Sequence, residues 1–123
     1  MFPLLYTHIN QTEREIQMYK VYQIQMKGEK NAEKLELKRD ITFYGSSKYN
    51  PENFSIYTQT ATCVADSAED VFELMNCWND KEKVQFCEGE RPYSLSVGDI
   101  LEDTQTGAFM MVDDYDFSRI QIK

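Results

Sequence analysis

Two apolar runs near the C-terminus constrain the fold of this chain most strongly. Residues 93–101 and 108–112 are rich in apolar side chains, and a short polar connector that ends in Gly107 separates them. This pattern predicts two strands folded against each other as a hairpin. Gly98 and Asp99 interrupt the first run and predict a bulge or tight bend. Since a hairpin alone is unstable in water, further strands or a helix must cover one of its faces.

The earlier part of the chain supplies candidate strands. Residues 18–26 alternate between the two faces of a strand, and a polar turn follows at 27–31. Apolar residues then recur at even spacing over 35–43, which predicts a second, half-buried strand that forms a hairpin with the first. Residues 45–53 predict a loop with Asn-Pro at its turn, and residues 54–65 predict a threonine-rich strand. A final strand is expected at 117–122, and the run at 84–87 predicts either a strand or a lid.

One segment predicts an amphipathic helix. Asp66 and Ser67 are good N-cap residues, and the acidic pair that follows suits a first helical turn. The apolar side chains then make one stripe at helical spacing, and Asn79-Asp80 would end the helix. The stripe consists of Ala68, Val71, Leu74, Met75 and Trp78.

Taken together, the elements predict an α+β fold. We expect a mostly antiparallel β-sheet with one main amphipathic helix packed on one face. At 123 residues the chain suits a single domain at 18–123, preceded by an N-terminal arm at 1–17. The arm has three readings: a segment laid on the domain, a partly disordered tail or a dimer contact. A homodimer therefore stays open.

Charge and cysteine content narrow the functional classes. The net charge of −8 argues against direct nucleic-acid binding, because binding to phosphates draws its affinity from clustered Lys and Arg. No apolar run approaches the length of a membrane span, so no membrane partner is expected. Cys63, Cys77 and Cys87 form no CxxC pair, which favours free thiols in a reducing compartment. We expect a cytoplasmic protein.

Two strings resemble the YodL-like domains that phages and mobile elements encode. Residues 69–76 (EDVFELMN) are similar to the family's helix with its acidic start and closing asparagine. Residues 91–100 (RPYSLSVGDI) are similar to its Ser-Leu-Ser-Val-x-Asp strand. Residues 19–23 also fit the family's opening strand. The resemblance covers chiefly residues 69–120, and the Ser-Leu-Ser-Val-Gly-Asp string is its most specific part.

The chain departs from the family pattern in two places. Asp116 replaces a glycine, and residues 27–65 form a longer insertion than the family pattern has. The resemblance implies a phage or mobile-element source and a bacterial host cytoplasm. It carries no catalytic residues, because the activity of the family is largely unknown. The serines and the aspartate of the motif are expected to satisfy backbone groups around a bulge.

Carboxylates accumulate around the two hairpin strands. Paired carboxylates can act as acid and base or hold a divalent cation. However, the spacing around Asp114 and Asp116 lacks the glycine and closing glutamate of a calcium loop, so a charged surface is the preferred interpretation and no metal site is assigned. The set comprises Asp99, Glu102, Asp103, Asp113, Asp114 and Asp116.

No catalytic set is assigned. His8 is the single histidine, and no nucleophile is placed beside it. A zinc site and a cofactor are likewise not expected. The eight tyrosines are many for this length, and tyrosine among acidic residues makes good protein-contact surface. Tyr44 and Tyr49, which flank the insertion loop, are therefore candidate partner-binding residues together with Asp113, Asp114 and Asp116.

These observations rank three functions. The first is a non-enzymatic module that binds a host or phage protein and inhibits a defence or nucleic-acid enzyme. The second is a nucleic-acid mimic whose carboxylates occupy phosphate-like positions. The third is a small-ligand binder or metal-dependent hydrolase that uses the carboxylate-rich strands.

Overall fold

A computed structural model describes residues 16–27, 31–78, 80–114 and 116–122. Six strands form one antiparallel sheet in the order β3-β2-β1-β4-β5-β6. Two α-helices complete an α+β fold, which confirms the predicted class. The strands are β1 (Met18–Gln23), β2 (Thr58–Val64), β3 (Val84–Phe86), β4 (Ile100–Asp103), β5 (Phe109–Val112) and β6 (Phe117–Ile120); the helices are α1 (Ala32–Tyr44) and α2 (Ala68–Cys77).

The sheet has an apolar core on each face. Successive residues of a strand point to opposite faces, so Val21 and Leu101 lie on one side and Ile100 and Met111 on the other. Helix α2 covers the first side. Helix α1 and the segment that follows it cover the second side. No described helix is long and apolar enough to cross a membrane.

Helix α2 forms as its sequence predicts. The side chain of Ser67 caps the helix by accepting a hydrogen bond from the Asp70 amide at 3.2 Å. Val71 and Met75 are fully buried against the sheet, and each such side chain contributes about 1.5–3 kcal/mol through removal from water. Trp78 was expected to continue the stripe, but it adopts the left-handed conformation of a C-cap, with φ of 54°. The helix therefore ends before Asn79, and Trp78 packs at its margin.

The strand predicted at 35–43 is wrong, because these residues belong to α1, the longer helix. The side chain of Asn31 caps α1 by accepting from the Lys34 amide at 3.0 Å. Ile41 is fully buried, whereas Leu35 and Phe43 are exposed, so the four apolar residues do not share a face. Ala, Glu, Lys, Leu and Arg dominate this segment, and all of them favour helix. The predicted hairpin with β1 therefore does not exist, and β1 pairs with β2 and β4 instead.

The predicted strand at 54–65 is correct only in its second half. Residues Gly45–Lys48 and Pro51–Ile56 form two short 3₁₀ helices within and beyond the predicted loop, and β2 begins at Thr58. A proline at the first turn suits a helical start because its missing N–H would have no partner there. The short run near 84 is a strand, β3, at one edge of the sheet.

The first strand of the C-terminal hairpin is shorter than expected. Residues 93–99 are irregular, and β4 begins only at Ile100. Gly98 has φ of 96° in a turn, which confirms the predicted bend and explains the glycine. A Cβ at Gly98 would lie 2.9 Å from a side-chain carbon of Ile41. The bend therefore lets α1 approach the sheet closely.

Candidate functional site

Four of the five predicted binding residues lie together. Tyr44 ends α1, and the three aspartates occupy the turn between β5 and β6. They line a shallow cavity of about 280 Å³ with two serines of the 3₁₀ segment. Its lining residues are Tyr44, Ser46, Ser47, Asp113, Asp114 and Asp116.

Asp113 joins the two segments and is largely occupied in doing so. Its carboxylate accepts from the amide and the hydroxyl of Ser46, each at 2.8 Å. It also accepts from the hydroxyl of Ser118 in β6. Partial burial raises the pKa of Asp113, but the hydrogen bonds from Ser118 and Ser46 outweigh burial and hold the pKa below its ordinary value. Asp113 therefore stays ionised and positions the turn.

Gly45 makes this approach possible. It has φ of 69° and ψ of −144°, a conformation almost restricted to glycine. A Cβ at this position would lie 2.0 Å from Oδ1 of Asp113. The glycine that ends α1 therefore brings the acidic turn against the end of the helix.

Asp114 and Asp116 are exposed. They also line a second cavity of about 230 Å³, whose other walls come from α2 and the neighbouring strands. There, Glu69 adds a carboxylate, and Phe72 exposes 39% of its surface. We call the set Tyr44, Glu69, Phe72, Asp114 and Asp116 the acidic–aromatic surface.

Tyr44 already carries a cation over its ring. It is 55% exposed, and the ammonium of Lys48 lies 5.4 Å from its ring centroid. Phe43 packs beside it, with ring centroids 4.9 Å apart. An aromatic face attracts cations through its quadrupole. The ring next to the aspartates can thus accept a positively charged group.

Tyr49, the fifth predicted residue, is used elsewhere. Its hydroxyl donates to the carbonyl of Gln121 at 2.9 Å, and its ring meets Tyr57 edge-on at 6.4 Å. Burial raises the pKa of Tyr49. The side chain packs against the core under α1, so it does not join Tyr44.

Sequence reasoning missed Glu69 and Phe72 as members of the site. Glu69 was interpreted only as a favourable charge in the first turn of α2, and Phe72 received no role. A signal was present, since Phe72 lies off the apolar stripe of an amphipathic helix and must face away from the core. Their proximity to the aspartates depends on the packing of α2 beside β5 and β6, which helix periodicity does not specify.

The remaining carboxylates of the hairpin do not join this surface. Glu102 accepts from the hydroxyl of Tyr22 at 2.9 Å. Asp103 accepts from Gln17 at 2.6 Å and from the Gln105 amide at 2.9 Å, so it stabilises the turn after β4. Among the described residues, no group of three or more His, Cys, Asp or Glu could hold a metal ion.

Asp99 is buried and structural. It accepts from the Ser96 amide at 2.9 Å and from the Gln23 side chain at 3.1 Å, and the Tyr93 hydroxyl lies 3.4 Å away. Burial raises the pKa of Asp99 to about 7, although these hydrogen bonds act in the opposite direction. Asp99 thus satisfies the backbone around the bend, as expected for the motif, whereas Ser94 and Ser96 are exposed.

The cysteines show no sign of activation. All three are free thiols. Burial raises the pKa of Cys63 to about 11 and also raises that of Cys87. A catalytic cysteine needs a lowered pKa, because the thiolate is the nucleophile. His8 lies outside the described residues.

Comparison with known proteins adds no relative. No protein-family model matches the chain, no curated protein matches its sequence, and no solved structure matches its fold.

Proposed function

We propose that this chain is a non-enzymatic protein-binding module that presents the acidic–aromatic surface to a basic partner. The observation that carries the proposal is the junction of Asp114 and Asp116 with Phe72 on one side and Tyr44 on the other. Exposed aromatic rings add contact area at low entropic cost. Carboxylates around them favour a partner with Lys or Arg.

The apolar floor of the cavity beside α2 supports the same proposal. Val112 and Phe117 line it beneath the carboxylates of Glu69, Asp114 and Asp116. A Lys or Arg side chain has an apolar stem and a charged head, which matches such a cavity. The net charge of −8 would in addition speed association with a basic surface.

The resemblance to YodL-like domains supports a phage or mobile-element protein that acts in the cytoplasm of a bacterial host. Its partner would be a host or phage protein. Defence enzymes and nucleic-acid enzymes are the first to test, because proteins that bind nucleic acid carry clustered Lys and Arg. Inhibition would follow if the surface covers that basic patch.

A pull-down from host lysate tests the proposal with matched variants. The wild-type chain should retain a basic protein at stoichiometric level, and retention should fall with added salt. Asp114→Asn with Asp116→Asn should abolish it. Glu33→Gln with Glu36→Gln is the control, since it removes the same charge from exposed positions of α1. Equal capture by both double variants, or no capture by wild type, would contradict the proposal.

Competition identifies the mode of binding. If the captured protein binds DNA and DNA displaces the chain from it, the acidic–aromatic surface acts as a nucleic-acid mimic. If DNA does not compete, the surface binds elsewhere on the partner.

A further inference from the structure

The edge strand β3 has a free side. It is the outermost strand of the sheet, and β2 is its one neighbour in the described part of the chain. The Cys87 amide donates to the Thr60 carbonyl at 2.9 Å, and Gln85 lies opposite Thr62. Because bonded and non-bonded pairs alternate in an antiparallel ladder, the N–H and C=O groups of Val84 and Phe86 point away from β2. They can bond a further strand.

An apolar patch lies on the α2 side of this edge. Val84 and Phe86 share that face, and the Phe86 ring meets Trp78 edge-on at 5.9 Å. Phe86 is 48% exposed. An open cavity of about 600 Å³ adjoins them, lined by Trp78, Lys81, Val84, Phe86 and Pro92. An unpaired edge with an apolar face favours strand addition.

The opposite edge of the sheet is different. Strand β6 carries the exposed Arg119 near its centre. Charged side chains on an edge strand oppose pairing with another chain. Strand β3, with the sequence Val-Gln-Phe, carries no charge of its own.

We propose that β3 pairs with β3 of a second copy, antiparallel and about a two-fold axis at Gln85. Val84 of one copy then lies opposite Phe86 of the other, and each such pair exchanges both of its backbone hydrogen bonds. Residues directly opposite in an antiparallel pair point to the same face. The two Trp78–Phe86 pairs therefore join in one apolar cluster, and the two six-stranded sheets become continuous.

The charges that flank β3 support a second copy as the occupant. Lys81 and Lys83 precede the strand, and Glu88 and Glu90 follow it, with Glu82 as the one acid on the basic side. Antiparallel pairing brings the basic end of one copy to the acidic end of the other. Lys27 holds Glu90 at 2.8 Å, and Asp80 lies 3.4 Å from Lys83. Lys81 and Glu88, both exposed, are thus the pair that joins the copies.

Sedimentation equilibrium of the full chain tests the proposal. Wild type should show a concentration-dependent equilibrium between the 14.5 kDa monomer and a dimer. Phe86→Glu should raise the dimer Kd by about tenfold or more. Phe43→Glu, at the most exposed of the listed large apolar residues, should leave the Kd unchanged. Circular dichroism establishes that both variants are folded.

Charge exchange and cross-linking test the register. Lys81→Glu should raise the Kd by roughly threefold to tenfold, and adding Glu88→Lys should restore it. In a background of Cys77→Ser and Cys87→Ser, Gln85→Cys should form a disulfide between copies. Two-fold-related residues 85 would form a non-bonded pair with Cα atoms about 4.5 Å apart, which suits a disulfide. Thr42→Cys should not cross-link.

Two results would overturn the inference. One is a wild-type chain that stays monomeric at every soluble concentration. The other is a dimer that tolerates Phe86→Glu and is not cross-linked through position 85, since it would use another surface.

Discussion

Asn76 and Leu95 bind each other through a reciprocal pair of hydrogen bonds. The Leu95 amide donates to Oδ1 of Asn76 at 2.6 Å, and Nδ2 of Asn76 donates to the Leu95 carbonyl at 3.3 Å. The pair connects the last turn of α2 to the irregular segment before β4. It thereby joins the two strings of the sequence that resemble YodL-like domains.

Removing the Asn76 side chain should destabilise the fold. Asn76→Ala leaves the Leu95 amide without its acceptor in a partly buried position, so we expect a loss of about 1–3 kcal/mol in the free energy of unfolding. Urea denaturation measures it. Glu73→Ala, at an exposed position of the same helix, should cost less than about 0.5 kcal/mol. Similar losses for the two variants would show that the pair contributes little.

Ionisation of Asp99 should make stability fall as pH rises. The pKa is about 7 in the folded chain and about 4 when unfolded, so the unfolded state gives up the proton first. The stabilisation is complete below pH 4, and its loss between pH 4 and 7 amounts to at most roughly 4 kcal/mol. A protonated Asp99 can donate to Tyr93, which lies 3.3 Å from the Ile24 carbonyl as its own acceptor.

Asp99→Asn is the variant that isolates this effect. An amide can make the same hydrogen bonds without charge, so the decline in stability between pH 5 and 8 should be much smaller. Guanidinium denaturation at several pH values checks it, with the exposed Asp114→Asn as control. Tyr57 and Tyr93 face Asp99, and Lys38 acts on it from α1. Both tyrosine pKa values are raised by burial, so neither ring titrates in this range. A variant that keeps the full decline would rule out Asp99 as its source.

Gly45 should not accept a side chain. Gly45→Ala combines an unfavourable backbone conformation with a close contact to Asp113, and we expect a loss above about 3 kcal/mol. Gly107 also has positive φ, at 78°, but nothing lies within 4 Å of an added Cβ. Gly107→Ala therefore measures the backbone contribution alone, about 1–2 kcal/mol. Thermal unfolding compares the two. Equal losses would mean that Asp113 moves aside at no cost.

A pair of alanine variants tests α1. Ile41 is fully buried and Leu35 is 44% exposed, so Ile41→Ala should cost about 2–5 kcal/mol and Leu35→Ala much less. The strand originally expected here would have buried both residues on one face. Comparable losses in urea denaturation would therefore favour that strand over the helix.

Local chemistry was sufficient for some elements. The cap at Ser67 and the stripe of α2 predict the helix, because they depend only on neighbours along the chain. The polar connector before Gly107 similarly predicts the turn between β4 and β5. Even the failure at α1 had a local signal, since Asn31 is a good N-cap before a run of helix-forming residues. Even spacing of four apolar residues outweighed that signal although only Ile41 reaches the core.

Tertiary structure decided which distant groups meet. No local pattern brings Asp113 to Ser46, Leu95 to Asn76 or Phe72 to the acidic turn, because these contacts depend on how both helices pack on the sheet. The same holds for strand order, which left β3 at an edge. The sequence by itself determined helix α2, an antiparallel sheet and an acidic chain with clustered carboxylates. Only packing decided that Asp113 would be consumed in holding the fold while Asp114 and Asp116 stayed exposed, since burial and hydrogen bonding are properties of the assembled chain.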